Sequence, residues 1–125
     1  MRSARSLELM MWVGVVGEPA AWACQHVFGF GVTVAGCGAG SHAWKVPIDS
    51  WTVIAGSVAA ALAVGGLAAS VIALRAAGAT SKDDPPPAGR IYFMSVCGIV
   101  ISPLFLAIIV MSTVATAVLS NCHPG

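Results

Sequence analysis

The chain has 125 residues and a net charge of +1, with 58% hydrophobic and only 9% charged residues. Soluble domains carry about 25% charged residues, so a surface this poor in charge must face lipid or other apolar protein. The near-zero net charge argues against a nucleic-acid partner, and the length admits one domain, 1–125.

A helix needs about 20 apolar residues to cross a bilayer. Three stretches satisfy this, at about 9–35, 51–74 and 91–119, and they predict an all-α integral membrane protein, a three-transmembrane-helix bundle. The 14 glycines sit mostly inside these apolar runs, as is common in membrane helices. The first and third spans exceed the minimum length and carry Pro19 and Pro103, so tilt or a bend is expected in each.

The first span is the most informative. At 3.6 residues per turn, Glu18, Trp22, Gln25 and His26 share one face within about 100°, extended by Gly14, Gly29 and Thr33. A charged carboxyl near the bilayer centre costs at least about 2.5 kcal/mol when unpaired. The stripe is therefore expected to face other helices, a cofactor or a water-filled cavity. Intramembrane polar residues most often act as packing glue, and that reading takes precedence over two others, a proton relay through Glu18 and a ligand role for His26. A b-type haem needs two axial ligands, and His42 and His123 lie outside the predicted spans. No cofactor is expected for the chain alone, which leaves open only a haem shared with a partner.

Residues 36–50 form the next connection, with Asp49 and Ser50 as candidate N-caps for the second helix. The second span has no charge. Its row of Ala61, Gly65, Ala69 and Ala73 at four-residue spacing predicts a close-packing face. Residues 75–90 are polar and contain Pro85, Pro86 and Pro87, which cannot continue a helix. In the third span Ser95, Ser102, Thr113, Thr116 and Ser120 fall within roughly 60° on a helical wheel, and Gly98 shares that face. This weakly polar stripe is the natural partner for the stripe on the first helix, although such hydroxyls also bond their own backbone.

Lys and Arg set the orientation. Arg2, Arg5, Arg75, Lys82 and Arg90 place the N-terminus and the 75–90 loop in the cytoplasm, while Lys45 alone marks the other side. The 36–50 loop and the C-terminus are then outside, and Trp12, Trp51 and Tyr92 lie near span ends as interface aromatics. The resulting expectation is a multi-pass protein of the bacterial inner membrane. A rival reads Val34-Ala35-Gly36-Cys37 as a lipoprotein cleavage box. The preceding run is too long and too polar for a signal h-region.

Of the four cysteines, Cys37 and Cys122 fall just past the outer ends of the first and third spans, and a disulfide between them is expected in an oxidising compartment. Cys24 and Cys97 lie within spans as small packing residues. No spacing suggests a metal site.

Gly17, Pro19, Trp22 and His26, read as G-x-P-x-x-W-x-x-x-H, are followed by Cys37. Later come Arg90 and Phe93, then Gly98, Ser102, Leu104 and Phe105, and a terminal Cys122. In these motifs the chain resembles small three-span bacterial membrane proteins encoded near haem–copper cytochrome c oxidase genes. It departs from the group at Glu18, where a small residue is expected, and at the Gln25-His26 pair. The resemblance implies a place near a respiratory oxidase and implies no activity.

There is no phosphate loop, metal motif or triad spacing, so no catalytic residue and no enzyme activity is expected. The leading expectation is a non-catalytic accessory or assembly subunit of a respiratory membrane complex, cytochrome c oxidase being the candidate. Its partners would be the lipid bilayer and larger complex subunits or further copies of itself. The alternative is a small oligomeric proton-coupled transporter or channel using Glu18. A phage-type holin ranks lower, because the basic cytoplasmic C-terminus of that class is missing.

Overall fold

The computed structural model describes residues 4–38, 47–78, 82–119 and 122. Arg2, His42, Lys45, Ser120 and His123 lie outside the described residues. The described chain is all-helical, with α1 at Ala4–Cys37, α2 at Ile48–Ala77 and α3 at Ala88–Val118. Their lengths are 34, 30 and 31 residues, or roughly 45–50 Å at 1.5 Å per residue. Both α2 and α3 are long and apolar enough to cross a membrane, with mean hydropathies of 2.2 and 2.6 over their most apolar stretches. α1 is as long but less apolar, since Glu18, Gln25 and His26 fall inside it. Pro19 and Pro103 are both accommodated within continuous helices.

The helices overrun the expected spans at most ends. α2 begins at Ile48, ahead of Asp49 and Ser50, and has no side-chain cap. Asp49 is instead in the first turn, where its charge meets the positive end of the helix dipole. At the other end Gly78 takes φ 64°, the left-handed conformation that ends a helix without a Cβ penalty.

The helices pack along seams that advance by alternating steps of four and three residues. On α1 the buried positions are Leu7, Met11, Gly14, Glu18, Ala21 and Gln25. On α2 they are Thr52, Gly56, Ala59, Ala63, Gly66, Ser70 and Ala73. On α3, Ile91, Ser95, Gly98 and Ser102 follow the same rule, and Ile109 lies two turns further along the seam. A mean step of 3.5 residues keeps a seam turned toward its neighbours and is the period of a left-handed supercoil.

That period corrects the expected packing row on α2. Ala61 and Gly65 are exposed, Ala69 is half-buried and only Ala73 is fully buried. A strict four-residue step turns about 40° past a full revolution, so the row starts on the outer face and winds onto the seam only at its end.

Burial is inverted relative to a water-soluble bundle. Glu18, Ser70 and Ser95 are 0% exposed, while Val27, Phe30, Leu104 and Met111 face outward. Among the described residues, the buried apolar side chains gather in two small clusters. One comprises Leu7, Met11, Ala73 and Ile91; the other comprises Ala21, Ala59, Ala63 and Ile109.

Candidate functional site

The seams bring the polar residues of α1 against the hydroxyls of α3. Glu18 occupies the centre of the three-helix junction. The Ser102 hydroxyl lies against its Oε1 as donor, and Gly66 of α2 leaves the space its side chain fills. A Cβ at position 66 would lie 2.9 Å from Glu18 Oε1 and 3.0 Å from its Cγ. One turn further along α2, Ser70 is clasped between Gly14 of α1 and Gly98 of α3, each of which would touch it if it carried a Cβ.

The hydrogen bonding at Glu18 is one donor short. Ser102 Oγ also lies 2.7 Å from the carbonyl oxygen of Gly98, yet a hydroxyl has one proton to give. Among the described residues Glu18 Oε2 has no partner, and neither do the buried hydroxyls of Ser70 and Ser95. The carboxylic acid form of Glu18 would supply a further donor here.

A second polar level lies two turns along α1. Gln25 Nε2 donates to Thr113 Oγ1 at 3.1 Å, and Thr113 donates onward to the carbonyl of Ile109 at 2.7 Å. Because the Thr113 proton is already committed, the amide must present its nitrogen to Thr113. That leaves Gln25 Oε1 buried and without a partner among the described residues. Between the two levels, Trp22 packs against His26 and Phe105 at centroid distances of 4.8 and 5.9 Å, and its indole N–H is buried without an acceptor. His26 is exposed, with Nδ1 3.2 Å from the carbonyl oxygen of Trp22. A carbonyl only accepts, so in this contact Nδ1 carries the proton.

Two depressions open on the outer faces. A polar cleft of about 250 Å³ is lined by Gln25, His26, Thr33, Thr52, Ser112 and Thr116, among others. A wider apolar groove of about 610 Å³ runs between α1 and α2, past Ala20, Cys24, Phe28, Trp51, Ile54 and Leu62. Glu18 and Ser102 line neither of them. Their contact sets a hydroxyl beside a carboxyl in the interior, away from both depressions. Among the described residues no group of three or more His, Cys, Asp or Glu could hold a metal ion.

Thr113 and Thr116 are half-buried at the cleft end of α3, with Thr116 donating to the carbonyl of Thr113 at 2.9 Å. Cys37 and Cys122 stand at disulfide distance at the same end of the bundle, with a Cα–Cα separation of 5.6 Å. Cys24 is exposed and Cys97 half-buried, both as free thiols. At the opposite end Arg90 pairs with Glu8, joining the starts of α3 and α1. Sequence reasoning passed over Glu8, Gly66 and Ser70. The four-three spacing of small residues on α2 was the available signal for the last two.

The chain matches no protein-family model, no curated protein and no solved structure.

Proposed function

We propose that this protein is a non-catalytic accessory or assembly subunit of a larger membrane complex, embedded through all three helices with its N-terminus in the cytoplasm. One observation carries the reading. Glu18 and Gln25 of α1 are turned inward and engaged in holding the bundle, Glu18 with Ser102 and Gln25 with Thr113, while the outer faces are largely apolar apart from the cleft at His26. Such a molecule offers lipid and other membrane proteins its surface and offers a substrate no reactive centre. Buried Glu18 and Gln25 also account for α1 as a membrane helix despite its lower apolarity, because its costly groups are covered by α2 and α3. The basic residues Arg75, Lys82 and Arg90 support the orientation, since positive residues stay on the cytoplasmic side.

A respiratory complex, with cytochrome c oxidase as the candidate, is proposed as the partner on the motif resemblance alone. Localisation in a bacterial inner membrane has the same basis. The test is purification in a mild detergent. Co-elution with oxidase subunits and a haem absorption spectrum is the expected result, and recovery of the chain alone as a homogeneous monomer overturns the proposal.

The alternative, in which Glu18 carries protons in an oligomer, is favoured by its unpartnered Oε2. Against it stand the apolar clusters that close the bundle on both sides of the carboxyl. Proton flux in liposomes that disappears on Glu18→Gln would reverse the order of the two readings.

A further inference from the structure

We propose that the polar cleft is an aqueous vestibule. It would open at the end of the bundle that carries Cys37 and Cys122, and admit water and hydronium into the membrane as far as Gln25. The inference rests on the membrane-spanning reading above and is independent of the accessory role.

Three observations carry it. The first is donor and acceptor accounting. Thr33 donates to the carbonyl of Gly29, Thr52 to that of Ile48 or of Asp49, and Thr116 to that of Thr113. Their protons are committed to the helix backbones, so Thr33 and Thr52 turn hydroxyl oxygens rather than donors toward the cleft, and Ser112 adds a hydroxyl to its wall. The second is Gln25, 9% exposed, which lines the cleft as well as the apolar groove and whose buried Oε1 is an acceptor without a partner among the described residues. The third is His26, exposed and well within α1. An imidazole facing hydrocarbon would be costly, whereas in this cleft water would solvate it. A polar cavity holds water when it is roomy and offers two to four polar partners per molecule; about 250 Å³ is room for several.

The vestibule has a floor. Ala21, Ala59, Ala63 and Ile109 close the bundle beneath Gln25, and Leu7, Met11, Ala73 and Ile91 close its far end. Water therefore enters from one side and stops short of Glu18. From α2 and α3, Glu18 meets Gly66 and Ser102 and no charged side chain among the described residues.

The test is thiol accessibility in sealed vesicles, using a charged, membrane-impermeant methanethiosulfonate. The background is Cys24→Ala and Cys97→Ala with Cys37 and Cys122 retained. Single cysteines are placed in the cleft by Ser112→Cys and Thr33→Cys. On the outward face of α3, at similar depth, they are placed by Val110→Cys and Val114→Cys, both native valines being exposed. The expected result is labelling of the cleft positions at least tenfold faster than the valine positions, and only from the side that bears Cys37 and Cys122. Silence at all four positions overturns the vestibule and leaves the membrane reading intact. Equal labelling at all four overturns both.

Discussion

Adjacent glycines on α2 offer the sharpest test of how the three helices meet. Gly66 faces the junction and Gly65 faces away. A Cβ added at Gly65 meets nothing within 4 Å, whereas one at Gly66 falls 2.9 Å from Glu18 Oε1, 3.0 Å from Cγ and 3.4 Å from Cδ. Glu18 cannot swing aside cheaply, being 0% exposed and bonded to Ser102. Both Gly→Ala changes gain the same helix propensity, about 0.8–1.0 kcal/mol in soluble hosts, so that contribution cancels when the variants are compared. What remains is overpacking at position 66, roughly 1–3 kcal/mol, or about 5- to 140-fold in the unfolding equilibrium constant. The assay is reversible unfolding in mixed micelles of rising denaturing-detergent fraction, followed by the fluorescence of Trp22, which packs against Phe105 of α3. Gly66→Ala should be less stable than Gly65→Ala by that margin. Equal stability, or a larger loss from Gly65→Ala, refutes the register assigned to α2.

Three further outcomes follow from the same geometry. Ser102→Ala removes the hydroxyl at Glu18 Oε1 and should destabilise the bundle by about 1–3 kcal/mol, the cost of a buried polar group left unsatisfied; the same micelle titration measures it. Gln25→Leu and Thr113→Val should couple in a double-mutant cycle by about 0.6 kcal/mol, the average for such interhelical bonds in membranes, and strict additivity would remove the assigned hydrogen bond. Cys37 and Cys122 are 85 residues apart in sequence. A bridge there stabilises by at most about 4–5 kcal/mol in the chain-entropy account. Native protein should run faster on a non-reducing gel than after reduction, a difference that Cys37→Ala abolishes.

The three helices and the polar face of α1 were legible because hydrocarbon-length apolar runs and a 3.6-residue period both appear in the primary structure. Glu18, Trp22 and Gln25 stand on one face from spacing alone. His26, on the edge of that face, lies in the cleft rather than in the interior. The packing face of α2 was harder to read, because almost every residue there is small or apolar and composition does not distinguish one side from another. The four-residue row from Ala61 is as conspicuous as the four-three seam through Gly66, and only the requirement that a seam stay facing its neighbours over several turns separates them. The clasp of Ser70 between Gly14 and Gly98 joins three helices, a relation that no local pattern contains. Helix ends beyond the apolar runs, such as the start of α2 at Ile48 and the Arg90–Glu8 pair, involve residues that no apolar window includes.

The long sequence distance between Glu18 and its partner bears on biogenesis. Ser102 lies 84 positions after Glu18, and Thr113 lies 88 after Gln25. Until α3 is made, the carboxyl and the amide of α1 lack the partners that will cover them, and a bare carboxyl is among the groups a lipid environment tolerates least. For a molecule inserted in this way, α1 would be held at the insertion machinery, or in the charge-tolerant interface, until α3 arrives. A nascent chain stopped after Ala77 would then carry a marker of its own incompleteness that membrane quality control can recognise.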